Sequence, residues 1–160
     1  MEVYIRSFRE EDAAAVAAVI EKTLLISNSR DYPMEEIQAQ IESHSEAVML
    51  ERSQWSHMYV ACDGKKIVGC GAVAPYWGNV DESILLSIFI LPEYQGKGIG
   101  KSIVQTLEQD EFFLRARRVE IPASITGVNF YLKLGYTYKN GDSRLTEEMN
   151  YRLEKFNAGA

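Results

Sequence analysis

Three glycines at alternate positions, in Gln95-Gly96-Lys97-Gly98-Ile99-Gly100, are the clearest chemical signal in this 160-residue chain. Glycine leaves the backbone uncovered, and amides at the start of a helix point outward with the positive end of the dipole behind them. Such a loop binds phosphate. Lys97 and Lys101 flank it and can add charge to the cradle. It is not a nucleotide P-loop, because Gly96 and Gly100-Lys101-Ser102 are separated by three residues where that motif has four. Nor is it a dinucleotide fingerprint. The spacing is GxGxG, not GxGxxG, and no acidic residue about twenty positions on falls in a βαβ pattern.

The loop needs a strand before it and a helix after it, and the sequence supplies both. Residues 84–91 are apolar except for Ser87 and stop at Pro92, which predicts a central strand buried on both faces. Ile99, Ile103 and Leu107 then recur every fourth residue, the stripe of an amphipathic helix. Upstream, residues 2–8 alternate as a first strand. Val16, Ile20 and Leu24 line a helix that follows the acidic Glu10, Glu11 and Asp12. Pro33 starts a second helix lined by Met34, Ile37 and Ile41, and residues 45–52 form a further short helical piece. Met58, Val60 and Cys62 alternate into Asp63-Gly64, a primed-turn hairpin signal, and residues 67–77 return as a strand rich in small residues. Gly78-Asn79 turns the chain again. Downstream, 118–121 is a strand ended by Pro122, 126–134 a helix closed by Gly135, and Met149, Tyr151 and Leu153 mark a last strand.

Gln95 to Gly100 is similar to the Q/R-x-x-G-x-G/A signature of the GNAT superfamily of N-acetyltransferases, and Phe89-Ile90-Leu91-Pro92-Glu93-Tyr94 resembles that family's approach to it. Asn129-Phe130-Tyr131-Leu132-Lys133-Leu134-Gly135-Tyr136 resembles the family's FYxxLGF/Y segment. The element order matches the family's α+β fold along residues 2–154: a mostly antiparallel sheet of six to seven strands with helices on both faces. The resemblance implies an acetyl-CoA-dependent N-acetyltransferase that moves the acetyl group directly to a primary amine of a small molecule, peptide or protein. It implies that Gln95, Gly96, Lys97, Gly98, Ile99, Gly100 and Lys101 hold the pyrophosphate, and that the backbone of Ile88, Phe89 and Ile90 holds the pantetheine arm. Ser124 stands where many relatives have an asparagine that contacts the cofactor. Tyr131 matches the tyrosine that protonates the departing thiolate. For the base Glu82 is the first candidate, followed by Asp81 and Glu120, with a water as the alternative. The acceptor site lies by implication in 23–32 and 75–82, with Asn28, Tyr32, Tyr76 and Trp77 as contacts and Asp31, Asp81 and Glu82 nearby. A catalytically silent CoA-binding module is the alternative, and an acyl group other than acetyl stays open.

Composition narrows the class. With 46% hydrophobic and 25% charged residues the chain reads as one soluble domain over 1–156, followed by a frayed tail at 157–160. A net charge of −6 argues against nucleic acid as partner. No apolar stretch is long enough to span a membrane and no secretory leader opens the chain, so the expected location is the cytoplasm. Cys62 and Cys70 read as reduced and semi-buried, neither being placed for a covalent acyl-enzyme, and His44 and His57 have no paired spacing, so no metal is expected. A homodimer is left open.

Overall fold

The structure is a computed structural model, and it describes residues 2–77 and 79–157. Its strands are β1 (Val3–Ser7), β2 (His57–Asp63), β3 (Lys66–Tyr76), β4 (Asn79–Ile90), β5 (Arg118–Ser124), β6 (Thr137–Tyr138) and β7 (Asn150–Phe156). Its helices are α1 (Ala13–Ile26), α2 (Met34–Glu42), α3 (Glu46–Ser53), α4 (Ile99–Leu107), α5 (Glu111–Leu114) and α6 (Val128–Lys133). The strands form one seven-stranded sheet in the order β1-β2-β3-β4-β5-β7-β6, flanked by the helices. Strands β4 and β5 run parallel and the other neighbours antiparallel. No helix among the described residues is long and apolar enough to cross a membrane.

The small residues of β3 have a packing purpose. A Cβ on Gly69 would stand 2.8 Å from Ile90 Cδ1, and one on Gly71 would stand 2.7 Å from Ile103 Cγ2. Both distances are shorter than any real contact, so the glycines let α4 lie directly on the sheet. Helix α4 returns the fit with a buried stripe of Ile99, Ile103, Val104 and Leu107. Successive β3 side chains face opposite sides of the sheet, so Cys70 lies on the side away from α4.

Several expectations need correction. Strand β4 starts at Asn79, earlier than the apolar run, and the turn residue Gly78 lies outside the described residues. Its second half is not buried on both faces: Leu85 is buried, but Ser87 to Ile90 are half-exposed because a cleft opens beside them. Pro122 does not end β5, which continues to Ser124. Beyond Glu120 this strand pairs with β7 alone, and an edge tolerates a residue without an N–H. The first hairpin turns on Gly64 and Lys65, with Gly64 at φ +60°, one residue later than expected. Both cysteines are fully buried. Asn157 is not frayed: its side chain donates to the carbonyls of Phe113 and Ala116 at 2.8 and 2.7 Å. The rest of the expected tail, 158–160, lies outside the described residues.

Candidate active site

Strand β4 has twelve residues, yet only Glu82, Ser83 and Ile84 pair with β5. Past Ile84 the two parallel strands part, and a cleft of about 700 Å³ fills the gap. The glycine loop forms one end of it. Gly96 and Gly98 adopt φ +76° and +84°, and a Cβ on either would meet no protein atom within 4 Å. Gly98 caps α4 without any capping side chain, so the first-turn amides stay free for an anion. Gln95 anchors the loop by donating from Nε2 to the Ile90 carbonyl at 2.9 Å and to Ser27 Oγ at 3.2 Å. The open, uncapped loop fits a pyrophosphate.

Midway along the cleft β4 carries a bulge: Leu86 pairs with Ala72 and Phe89 with Cys70, so three steps on β4 match two on β3. Ser87 sits in the bulge at φ +56°, a conformation that costs a non-glycine residue about 1–2 kcal/mol. Strain of this kind collects where function fixes the backbone. Ser87 is also the one polar break in the apolar run, the only trace of the bulge in the sequence. The Cys70 thiol donates to the Ser87 carbonyl at 3.2 Å, and burial pushes that thiol up to about 12. It remains protonated at neutral pH and is no nucleophile.

Tyr131, from α6, is 7% exposed and lines the same stretch. Burial, reinforced by the neighbouring Cys70, raises its pKa, and no hydrogen bond contributes. Its hydroxyl therefore keeps its proton. Ser124, one turn before α6, also lines the cleft, and its Oγ accepts the Gly127 amide at 2.9 Å. The Tyr32 hydroxyl joins two walls: it donates to the Met149 carbonyl at 2.8 Å and accepts the Ile125 amide at 2.9 Å.

The far end of the cleft is walled by α2 and α3, where sequence reading named no functional residue. His44 lies between these helices, with Nδ1 2.7 Å from the Gln40 carbonyl. A carbonyl can only accept, so Nδ1 carries the proton and Nε2 keeps its lone pair. Burial, helped by the positive Arg52, lowers the His44 pKa below its usual value and keeps the ring neutral, although the Gln40 bond opposes this. Arg52, near the end of α3, donates from Nη1 to Ser87 Oγ at 2.6 Å. Its Nε is buried without a partner, an omission that costs about 1–3 kcal/mol. Nothing in the local sequence singles out either residue. One lies in an inter-helix turn and the other looks like an ordinary basic residue in a last helical turn.

The remaining expected residues divide cleanly. Ile88, Phe89, Ile90, Gln95, Gly96, Gly98, Ile99, Gly100, Lys101, Asn28, Tyr32, Ser124 and Tyr131 all line the cleft. Lys97 does not; it is exposed to solvent. Glu82 lies on the paired half of β4, held by Arg118 at 3.3 Å and Arg117 at 3.6 Å, outside the cleft. Glu120 is buried among Arg118, Arg152 and Lys139. Asp81 is exposed beside them in sequence. Tyr76 accepts from Arg152 Nη2 at 2.6 Å, and Trp77 is 86% exposed at the β3–β4 turn; neither reaches the cleft. The antiparallel return of β4 places Tyr76, Trp77, Asp81 and Glu82 at the strand's start, away from the glycine loop at its end. Glu120, by contrast, lies on β5 just before the lining residues Ile121 and Pro122. Among the described lining residues Glu148 is the one carboxylate.

Comparison with known proteins agrees with this geometry. No curated protein sequence matches the chain. A PaiA N-acetyltransferase from Thermoplasma acidophilum, solved in complex with coenzyme A, superposes with a TM-score of 0.83 at 22% identity, over 98% of this chain and 100% of that one. A GCN5-related N-acetyltransferase from Rhodopseudomonas palustris gives 0.78 at 21% identity, over 98% and 96%. The family description "acetyltransferase (GNAT) domain" matches residues 54–138, which contain the β4 bulge, the glycine loop and Tyr131 but not α1 to α3. With more than half its length in that match, the chain belongs to the GNAT family of acetyltransferases.

Proposed function

We propose that this protein transfers an acetyl group from acetyl-CoA directly to the nitrogen of an amine. One observation carries the reading: a single cleft connects uncapped helix amides, a strained β4 bulge, a protonated tyrosine and a neutral histidine. Acetyl-CoA supplies the acetyl group as a thioester. The first-turn amides of α4, the open Gly96 and Gly98 and the Lys101 ammonium would hold its phosphates. The unpaired edge of β4 over 88–90 would hold its arm and place the thioester at the bulge, with a backbone amide available to the carbonyl oxygen.

His44 takes the place expected of Glu82. An amine is protonated in water below a pKa of about 10, so the reactive free form is a minority at neutral pH. As its nitrogen attacks, the N–H becomes far more acidic, and a neutral imidazole suffices to accept the proton. Nε2 of His44 is the lone pair available for this. Tyr131 holds its proton for the departing thiolate, a role worth about 10²–10⁴-fold. Cys70, protonated and bonded to Ser87, has no part in a covalent relay.

The test combines calorimetry of acetyl-CoA binding with CoA release over a panel of amines. Binding together with amine-dependent release is the expected result. Binding with no release by any amine would leave a silent CoA-binding module as the better description.

A further inference from the structure

Arg52 is the one arginine among the described residues that is neither exposed nor paired with a carboxylate. Arg6 is paired with Asp12, Arg118 with Glu82, Glu120 and Glu154, and Arg152 with Glu120. Arg9, Arg30, Arg115, Arg117 and Arg144 are exposed to solvent. Arg52 instead lines the cleft, where one of its donors is taken by Ser87 Oγ. Its Nε has no acceptor and is shielded from water. A half-buried guanidinium left in this condition is matched to an anion that the protein does not contain.

We infer that Arg52 is the acceptor's anchor, and that the acceptor is a compact amine bearing a carboxylate, of the amino-acid class. This deepens the acyl-transfer reading and rests on it. Nη1 is held by Ser87 and Nε is enclosed, so Nη2 is the donor left to meet a carboxylate oxygen, and one guanidinium balances one negative charge. A phosphate dianion would need a second cation. Lys101, the other cation in the cleft, stands with the glycine loop at the cofactor end.

The position of Arg52 limits the length of the acceptor. Its partner Ser87 is the bulge residue, and the Ser87 carbonyl takes the thiol of Cys70, which neighbours Tyr131. The anchor and the proposed point of transfer thus meet at one residue of β4, Ser87. An amine and a carboxylate joined by a short chain fit that spacing, whereas a long diamine or a lysine side chain places its far end elsewhere. Charge agrees with this choice. Glu148 alone among the lining residues offers a carboxylate, enough to attract one ammonium while Arg52 takes the acid.

The experiment compares free amino acids with their carboxamides, alongside a linear diamine, as acceptors in CoA release. The amides keep the amine and shape but lose the negative charge. The expected result is that the preferred amino acid exceeds its amide by about 10-fold or more in kcat/KM. In Arg52→Gln that ratio should collapse toward one through a raised KM for the acid, and Arg52→Lys should restore part of it. Melting curves check that each variant is folded. Should neither variant fold, the acid-to-amide ratio of the wild type decides alone. Equal use of acid and amide, or a preference for the diamine, overturns the carboxylate anchor while leaving acetyl transfer intact. So does an Arg52→Gln variant that slows acid and amide equally through kcat, which would place Arg52 at the reacting atoms. No release with any acceptor overturns the anchor together with acyl transfer.

Discussion

In the proposed transfer Tyr131 and His44 stand on opposite sides of the same proton balance, and each is testable by itself. Tyr131→Phe removes one hydroxyl and keeps a ring that packs beside Phe130 and Tyr136 at 5.1 and 6.4 Å. Turnover should fall by about 10–10³-fold while the acetyl-CoA dissociation constant changes only a few-fold. Single-turnover kinetics check this, and unchanged chemistry would return Tyr131 to a packing role. His44 faces the Gln40 carbonyl of α2, Ser43 in its own turn, Arg52 of α3 and the edge of Phe89 from β4, with ring centroids 5.5 Å apart. Burial and Arg52 depress its pKa, so it is neutral at pH 7 and becomes charged only as pH falls below its usual value of about 6.5. Beyond the rise with pH that the amine's own deprotonation gives, the rate should fall more steeply on the acid side of that region, where His44 takes up a proton. His44→Gln should lower kcat/KM by about 10²-fold and remove that acid limb. A variant that retained the limb would transfer the role to Glu148 or a water. The stability sign is the same. The unfolded chain binds the proton first, so His44 withdraws stability as pH drops from about 6.5 to its lower folded value.

At the scale of elements, two glycines, one beneath α4 and one at its start, separate packing from binding. Gly71 lies under the helix, where a methyl group would meet Ile103, Leu107 and Ile88 at 2.7, 3.2 and 3.3 Å. Gly71→Ala should therefore destabilise the fold by about 1–3 kcal/mol and, by lifting α4, weaken coenzyme binding as well. Gly98 is at the helix start, facing open space at φ +84°. Gly98→Ala should carry a backbone cost of about 1–2 kcal/mol, and its methyl group would enter the space proposed for the phosphates. Acetyl-CoA affinity should fall by more than about 10-fold, beyond what the small loss in melting temperature accounts for. Calorimetry and thermal denaturation of the two variants check this contrast. Equal affinity in Gly98→Ala and wild type would remove the loop from the phosphate site.

Across the whole molecule, the sheet is joined at its middle by charge as well as by backbone. Glu120 accepts from Arg118, Arg152 and Lys139, and Arg118 reaches on to Glu154 and Glu82. These residues tie β4, β5 and β7 together on the paired side of the split that opens the cleft. Burial pushes the Glu120 pKa up, but the hydrogen bonds from Arg118, Arg152 and Lys139 outweigh it and the net shift is downward. A depressed carboxylate gives stability that is present above its unfolded pKa of about 4.5 and is lost as pH falls through the lower folded value. Glu120→Gln should lower the unfolding free energy by about 1–3 kcal/mol, because it removes one of the three carboxylates on Arg118 and the one that holds the half-exposed Arg152. Denaturant midpoints at pH 7 check the loss. A midpoint within error of the wild type would mean that solvent already satisfies those arginines.

The features legible in the residues alone are those that depend on local backbone chemistry. Glycine spacing, a proline stop and a four-residue apolar stripe specify a strand end, a turn at positive φ and a helix start with free amides, because these are local properties. The FYxxLGY segment placed Tyr131 in the same way, within one short helix and its glycine cap. What tertiary structure decided was which distant residues face that loop. Glu82, Tyr76 and Trp77 stand close in sequence to the central strand, yet the antiparallel return of β4 carries them to the end of the sheet away from the cleft. His44 and Arg52 carry no local signal, and they enter the site because the extra residue in β4 and the parting of β4 from β5 open a cavity against α2 and α3. A bulge and a splay are properties of strand pairing, set by partners far away in the chain, so no reading of neighbours along the sequence could place them.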